Sequence, residues 1–158
     1  MNRLEKIVHR FKGYPTWILS FAVGKVVKLV GTTGCSFDLM TKEKVIISLK
    51  NKTKVQNHIG QIHAAAMILL AETATGMVVG MNVPDDRLPL IKSIESKFVK
   101  RSQGKMQAVA TLNVAQRQLI LREEKGEVVV PVKVTDETGD EPIICEMVWA
   151  WVPKKRKQ

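Results

Sequence analysis

The stretch IHAAAMILLAETATGMVVGM, residues 62–81, decides how this chain folds. A helix drawn through it is apolar on almost every side, and such a helix is either buried on most sides or lies in a membrane. Small residues would let neighbouring backbone approach it closely: they are Ala64, Ala65, Ala66, Ala71, Ala74, Gly76 and Gly80. We therefore predict a long central helix wrapped by a curved sheet.

A membrane-spanning helix is the alternative, because about 20 apolar residues just cross a bilayer. Glu72 in the middle of the stretch, and the polar Gln61 and His63 at its start, argue against that interpretation. The flanking segments have the patterns of ordinary strands, and the sequence offers no second span. We predict no membrane span.

The segments before the central helix change from helical to strand-like spacing. Leu4, Ile7, Val8 and Phe11 recur every three or four residues, which predicts an amphipathic N-terminal helix. The further elements predicted here are a short helix at 15–27, a turn at 31–34, strands at 35–40 and 45–49, and a basic loop at 51–57.

After the central helix, alternation with a period of two predicts strands at 90–100, 106–114, 128–134 and 143–152. Pro131 implies a sheet edge or a bulge. A helical turn within 115–125 and a hairpin turn at 136–140 complete this half. Because few helices separate the strands, the sheet should be antiparallel and the fold class α+β.

These elements predict a single domain, which 158 residues are long enough to fold around a substantial core. The domain covers 1–152, with N-terminal helices within 1–30 and a core at 35–152, and a basic tail follows at 153–158.

The composition points to anionic partners. The chain carries 25 Lys and Arg against 15 Asp and Glu, a net charge of +10. Nucleic acid, acidic lipid, an acidic carrier protein or a phosphorylated cofactor would each suit such a charge. The aromatic content of only 5% argues against a single-strand nucleic-acid binder built on base stacking. Charge alone does not choose among the others.

The two cysteines, Cys35 and Cys145, stand far apart and have no histidines at metal-ligand spacing, so we predict no metal site. We interpret them as buried thiols in a reducing compartment, and expect a cytoplasmic protein. Lys25 and Lys28 interrupt the apolar run near the start, which weakens a signal-peptide interpretation. The basic tail could act as a nuclear-import signal, which is a minor alternative.

Four residues at the start and middle of the central helix form a recognisable pattern: Asn57, Gly60, His63 and Glu72. The pattern resembles the signature of hotdog-fold thioesterases, closest to the phenylacetate-pathway branch and its relatives of unassigned function. That signature has Asn, a Gly three residues later, then His-Gly-Gly, and an acid eight residues after the first of those glycines. The resemblance extends over residues 36–152 and implies the hotdog fold and hydrolysis of acyl thioesters.

Two departures from the signature leave a weak or lost activity open. His-Gly-Gly is replaced by His63-Ala64-Ala65. The places where the family carries Ser or Thr hold Gly76 and Ile91, with Thr75 and Ser93 beside them.

The chemistry of the residues agrees with the resemblance. A thiol leaves easily, since its pKa is about 8.5, so one carboxylate and one oxyanion donor suffice. Glu72, desolvated in an apolar helix, would act as general base or as nucleophile. The Ala64 N–H, at the helix start, would bind the thioester oxygen. Asn57 would orient water, and His63 would fix the turn or touch the carbonyl.

The remaining predicted site residues are a substrate-binding set and a set near the coenzyme A phosphates. The first comprises Gly60, Ala65, Thr75, Gly76 and Ser93; the second comprises Lys97, Lys100 and Arg101. A structural role is the alternative for each: Glu72 could cap a buried network, His63 could be a helix-start residue, and the basic residues could form a solvated surface.

Helix geometry adds the prediction of a shared site. Nine residues separate His63 from Glu72, so at about 100° per residue their side chains face opposite sides of the helix. Two chains can bring both to one substrate, with the helix start from one and Glu72 from the other. A homodimer, or a dimer of dimers, is therefore expected.

Three functions stand open at the level of sequence. The first is an acyl-CoA or acyl-carrier thioesterase that uses Glu72. The second is a non-catalytic acyl-CoA-binding hotdog protein, and the third, least favoured, is a nucleic-acid-associated basic protein. No cofactor is expected, because coenzyme A would enter as part of the substrate.

Overall fold

The computed structural model describes residues 1–155. The helices are α1 Arg3–Arg10, α2 Thr16–Val26, α3 Lys28–Thr33, α4 Ala64–Gly80 and α5 Val114–Arg122. The strands are β1 Ser36–Met40, β2 Lys44–Leu49, β3 Arg87–Phe98, β4 Met106–Thr111, β5 Gly126–Val130, β6 Val132–Asp136 and β7 Ile143–Pro153.

The helix α4 lies at the centre of the fold, as predicted. It packs against β2, β4 and β6 on one side and β3 and β7 on the other. Leu70, Ala71, Ala74 and Val78 are completely buried. Small residues were predicted to admit neighbouring backbone, but Gly76 and Gly80 meet side chains instead, those of Trp149 and Leu4.

Every strand pair is antiparallel, and two sheets form in the orders β1-β2-β4-β6 and β3-β7-β5. Only Pro131 separates β5 from β6, so one extended segment pairs with β7 before the proline and with β4 after it. Proline lacks an N–H and interrupts the ladder there. Pro131, where a sheet edge or a bulge was predicted, thus marks the place where the chain passes from one sheet to the other.

The two outer edges of the sheets differ in how they end. At β1, the Phe37 N–H donates a hydrogen bond of 2.8 Å to the Ser20 hydroxyl of α2, so a helix covers that edge. The opposite edge, β3, is 12 residues long, and among residues 1–155 it pairs with β7 alone. It exposes Leu88, Leu90, Ile91, Ile94 and Phe98. An open, long, apolar edge is a template for pairing with another chain.

The predicted N-terminal helices are present, and a third accompanies them. Where a turn was predicted at 31–34, α3 continues to Thr33 and ends at Gly34, whose φ of 78° is left-handed. Gly31 serves a close approach instead: a Cβ on it would lie 2.6 Å from the Gly24 carbonyl oxygen of α2. The turn prediction was wrong because glycine allows both turns and backbone contact.

Two predictions in the second half change as well. The ambiguous segment 115–125 contains a full helix, α5, which Asn113 and Gln116 begin with a capping box. The predicted hairpin at 136–140 is wrong, since β6 pairs with β4 whereas β7 pairs with β3 and β5. This turn connects the two sheets.

The last described residues of the chain are hydrogen-bonded to the segment just before β3. Pro153 ends β7, and the Lys154 N–H donates to the Asp86 carbonyl oxygen at 2.8 Å. The rest of the predicted basic tail, 156–158, lies outside the described residues. Among the helices of residues 1–155, none combines the length and apolarity that crossing a bilayer needs.

Candidate functional site

The loop before α4 is built around Asn57. Its side-chain oxygen accepts hydrogen bonds from the Ile59 and Gln61 amides, each 3.1 Å long. Gly60 has a φ of 75°, the left-handed conformation that this turn needs. Because the oxygen of Asn57 is engaged inside its own loop, its amide NH₂ is the group left to meet a ligand.

His63 caps the start of α4. Its Nδ1 accepts a hydrogen bond of 3.0 Å from the Ala65 N–H, so the neutral ring carries its proton on Nε2. The Ala64 N–H has no acceptor within residues 1–155, and both alanines are exposed. The first turn therefore presents one unpaired donor at the positive end of the helix.

Glu72 lies half-buried in the middle of α4. Burial raises the pKa of its carboxyl, which a hydrogen bond of 3.4 Å from the Thr73 hydroxyl partly offsets. Within residues 1–155 no cation lies within salt-bridge distance of it. A half-buried acid without a cationic partner holds protons more tightly and is a stronger base once ionised.

Glu72 belongs to a partly exposed stripe along α4, which we call the open stripe: Ala65, Ile68, Leu69, Glu72 and Gly76. These residues recur at helical spacing, whereas the rest of α4 is largely buried. The open stripe is apolar apart from its one acid. In the single chain it faces no strand or helix that fully covers it.

The edge strand β3 continues this apolar surface. Ile91 is opposite Trp149, Ile94 opposite Met147 and Phe98 opposite Ile143 in the antiparallel register. Directly opposed residues share one face of a sheet, so these three exposed side chains lie on the face that carries the buried core residues of β7. Ser93 is half-buried. It is the first paired residue after the bulge that follows Ile91, and it is opposite Val148.

Thr75 and Gly76 both pack against Trp149. The Thr75 hydroxyl donates to the carbonyl oxygens of Ala71 and Glu72 and accepts a bond of 2.9 Å from the Trp149 indole N–H. A Cβ on Gly76 would lie only 2.7 Å from the Trp149 ring. In the single chain the Thr75 hydroxyl is fully engaged and buried, and the ring occupies the space that a hydroxyl side chain at position 76 would need.

This packing has a measurable consequence for stability. Gly76→Ala should lower the free energy of unfolding by about 1 kcal/mol, because overpacking costs about 2 kcal/mol and the gain in helix propensity is about 1 kcal/mol. Chemical denaturation measures the change. Gly80→Ala is the matched control: its Cβ meets only the flexible end of Leu4, at 3.2 Å, so it should be neutral or stabilising. A stabilised Gly76→Ala protein would contradict the tight contact.

The residues predicted near coenzyme A phosphates lie at and beyond the end of β3. Lys97 is exposed on the strand, where Glu95 and Glu146 line the same cavity. Lys100 is paired with Asp140 at 2.7 Å, so a phosphate would have to compete with that carboxylate. Arg101 is exposed. Their phosphate-binding role stays a prediction.

The Ala64 N–H and the Glu72 carboxyl, the predicted oxyanion donor and base, lie far apart within one chain. Eight helical residues separate Ala64 from Glu72, which is about 12 Å along the axis. No single thioester carbonyl can be within bonding distance of both groups in one chain. Within residues 1–155, no group of three or more His, Cys, Asp or Glu side chains is arranged to hold a metal ion.

Two features of the site were missed by sequence reasoning. Trp149 closes one end of the open stripe, and Ile68 and Leu69 flank Glu72 on it. The stripe could have been found from the helical spacing of the residues around Glu72. The Trp149 contact could not, since 74 residues separate it from its partner Thr75.

Comparison with known proteins places these features in a family context. The family model described as "Domain of unknown function (DUF4442)" matches residues 15–152. No curated protein matches the chain.

Several solved structures are similar in fold. A Pseudomonas aeruginosa protein of unknown function, described as a probable thioesterase, has 21% identity and a TM-score of 0.77, covering 89% of this chain and 97% of its own. A mutant thioesterase from Staphylococcus aureus has 21% identity and a TM-score of 0.69, covering 80% and 99%. A Haemophilus influenzae thioesterase has 13% identity and a TM-score of 0.68, covering 82% and 86%. These similarities confirm the predicted α+β hotdog fold.

Proposed function

Because this chain belongs to the family described as "Domain of unknown function (DUF4442)", and folds as a hotdog, we propose that it hydrolyses acyl thioesters with Glu72 as the catalytic carboxylate. The observation that carries the proposal is Glu72 itself: a half-buried acid on an otherwise apolar open stripe, with no cationic partner within residues 1–155. An acyl chain needs an apolar surface, and a thioester needs one base beside it.

The roles that we propose for the individual residues are as follows. The unpaired Ala64 N–H would bind the developing oxyanion, and the Asn57 amide NH₂ would hold water or the carbonyl. His63 positions this turn by accepting the Ala65 N–H, and its Nε2–H is free to face the substrate. Glu72 activates water or attacks the thioester carbonyl directly. Activated water expels the thiol and leaves the carboxylic acid in one displacement. Direct attack expels the thiol and forms an anhydride with Glu72, which water then hydrolyses to the carboxylic acid and free Glu72.

We propose that the complete site forms in a homodimer, which could pair further into a dimer of dimers. The 12-residue edge strand β3 and the open stripe are both uncovered in one chain. A second copy that continues the sheet at β3 would cover both and would bring its own helix start towards Glu72. This supports the shared site predicted from the helix geometry.

The dimer has a direct test. Ile94→Lys should lower the molar mass measured by light scattering from that of a dimer to that of one chain, because like charges meet across a twofold strand pair. Val129→Lys is the control, since Val129 is 49% exposed on β5 and Ile94 40% exposed on β3. A wild-type protein with the mass of a single chain would rule the shared site out.

The substrate class we propose is an acyl group on coenzyme A or on an acyl-carrier protein, with no cofactor beyond that carrier. The net charge of +10 suits either anionic partner. A panel of acyl-CoAs, assayed by release of free thiol, tests the activity. A cytoplasmic location stays a prediction.

A second candidate is an acyl-CoA-binding protein without turnover. The Trp149 ring over Gly76 favours it, since it excludes the hydroxyl that the resemblance expects at that place. Calorimetry with acyl-CoA separates the two candidates: binding without thiol release would support the second.

A further inference from the structure

The N-terminal helices α2 and α3 expose a surface that the proposed hydrolysis does not use. Trp17 and Phe21 of α2 are 67% and 63% exposed, and Val26 and Leu29 at the junction with α3 are 76% and 60% exposed. Soluble proteins rarely expose so many large apolar side chains within 13 consecutive residues without a binding role. The buried side of the hairpin is different: Val23 and Val30 pack into the core.

Lysines surround these apolar side chains. Trp17, Phe21, Lys25 and Lys28 line one cleft of about 660 Å³, and the Lys25 ammonium lies 5.1 Å from the centre of the Phe21 ring. An adjoining cavity of about 410 Å³ shares Gly34 and Ser36 with this cleft. Its lining adds Lys50, Lys52 and Lys105.

Few carboxylates neutralise this side of the molecule. Of the residues that the structure describes, Asp38 is the one acid that lines either cavity, and the Ser48 hydroxyl donates a hydrogen bond to it. Salt bridges within residues 1–155 engage Lys42, Arg87, Lys92, Lys100, Arg117 and Lys133, none of which lines these cavities. The five lysines of the two cavities therefore keep their charge available.

We propose that this face, defined by the cleft residues Trp17, Phe21, Lys25 and Lys28 and here called the helical face, docks on an anionic phospholipid bilayer. The aromatic side chains enter the boundary between headgroups and acyl chains, while the lysines contact the phosphates. The backbones of α2 and α3 are in close contact at Gly24 and Gly31, so the two helices present one continuous surface.

Two other occupants fit less well. A second copy packed on the same face by a twofold axis would bring two sets of lysines against each other. Nucleic acid would satisfy the lysines and could stack on Trp17 and Phe21, but an aromatic content of 5% is low for a protein that binds by base stacking. A lipid surface satisfies both kinds of side chain at once.

Tryptophan emission provides the measurement. The chain has three tryptophans, and Trp149 and Trp151 are 7% and 0% exposed, so Trp17 dominates any response to the surface. The full-length protein should sediment with phosphatidylcholine vesicles that contain about 30% phosphatidylglycerol, with a blue shift of its emission. Pure phosphatidylcholine vesicles should bind it weakly. Trp17→Phe should keep the sedimentation and lose the shift.

Double variants test the lysines and the aromatic residues of the helical face separately. Lys25→Gln with Lys28→Gln should weaken partitioning by about fivefold for each lysine. Arg122→Gln with Lys125→Gln, at exposed positions that line neither cavity, should leave it near wild type. Trp17→Ser with Phe21→Ser should abolish vesicle binding. Leu121→Ser, which also replaces an exposed apolar side chain, should not. Since all these side chains are exposed, unchanged circular dichroism and Tm are expected and show that the fold is intact.

Three kinds of result would overturn the proposal. The first concerns binding itself: it would be equal with neutral and anionic vesicles, or Trp17→Ser with Phe21→Ser would leave it unchanged. The second is a fluorescence response to DNA or RNA but not to vesicles. The third is a lower molar mass of the vesicle-free Trp17→Ser, Phe21→Ser protein, which would assign the face to a second copy.

Discussion

Replacing Glu72 by Gln should lower kcat for acyl-thioester hydrolysis by about 10³-fold, since general acid–base catalysis contributes about 10² to 10⁴. The amide keeps the size of the side chain and removes the base and the nucleophile together. Binding of acyl-CoA should survive, because the open stripe around position 72 stays apolar. Thiol release measures kcat, and calorimetry measures the binding.

The wild-type pH profile should carry the same signature. Burial raises the pKa of Glu72, so kcat should rise with pH through a midpoint above the ordinary glutamate value of about 4.3. In Glu72→Gln the residual rate should lack that midpoint. Stability should move the opposite way: between the ordinary and the raised pKa the folded chain holds a proton that the unfolded chain has lost, so stability falls as pH rises. The Glu72→Gln protein escapes this loss and should be at least as stable as wild type at pH 7.

A surface carboxylate supplies the control. Glu124 is exposed beyond α5, and Glu124→Gln should leave kcat and its pH dependence unchanged. Turnover that survives Glu72→Gln at the wild-type rate would remove Glu72 from catalysis. Acyl-CoA binding without turnover in the wild type would instead select the non-catalytic candidate.

The fold could be predicted from sequence wherever local spacing determined it. The apolar run at 62–81 specified α4, and the repeat of Leu4, Ile7, Val8 and Phe11 specified α1. Each signal lies within a single helix, so neither needs knowledge of a distant partner. Pro131 was equally informative, because its missing N–H interrupts a ladder whichever strands are paired.

The features that sequence reasoning missed depend on contacts between distant residues. A hairpin at 136–140 is the natural local interpretation of a turn between two strands, but strand partners are chosen across the sheet. A glycine at position 31 suggested a turn. The structure gives another reason for it: the backbone of Gly24, on the neighbouring helix, lies too close to leave room for a side chain. In the candidate site, spacing indicated the residues on α4, whereas the Trp149 ring against Gly76 comes from the last strand.

Ala64→Pro should lower kcat by about 10²- to 10³-fold, the usual loss when one oxyanion donor is removed. Proline deletes the N–H that has no acceptor within residues 1–155, and it is tolerated at the first position of a helix. His63, the residue before it, already has the extended conformation that a following proline requires, with φ −63° and ψ 143°. The Tm should therefore change little while thiol release falls.

Ala64→Gly is the matched control. It keeps the N–H and restores the first glycine of the family signature, so the rate should equal or exceed that of wild type. A full loss of activity in Ala64→Gly as well would indicate that the side chain, and not the donor, matters at this position. Unchanged turnover in Ala64→Pro would remove the helix start from the mechanism.

Mixing the two inactive proteins then decides whether one site draws on two chains. If Ala64→Pro and Glu72→Gln chains are unfolded together and refolded, about half of the dimers are mixed, and one of the two sites in each mixed dimer has an intact donor and an intact carboxylate. The mixture should recover about one quarter of the wild-type activity. If each site used residues of a single chain, mixing would restore nothing. The separation of about 12 Å between Ala64 and Glu72 along α4 requires the first result if both groups act on one thioester.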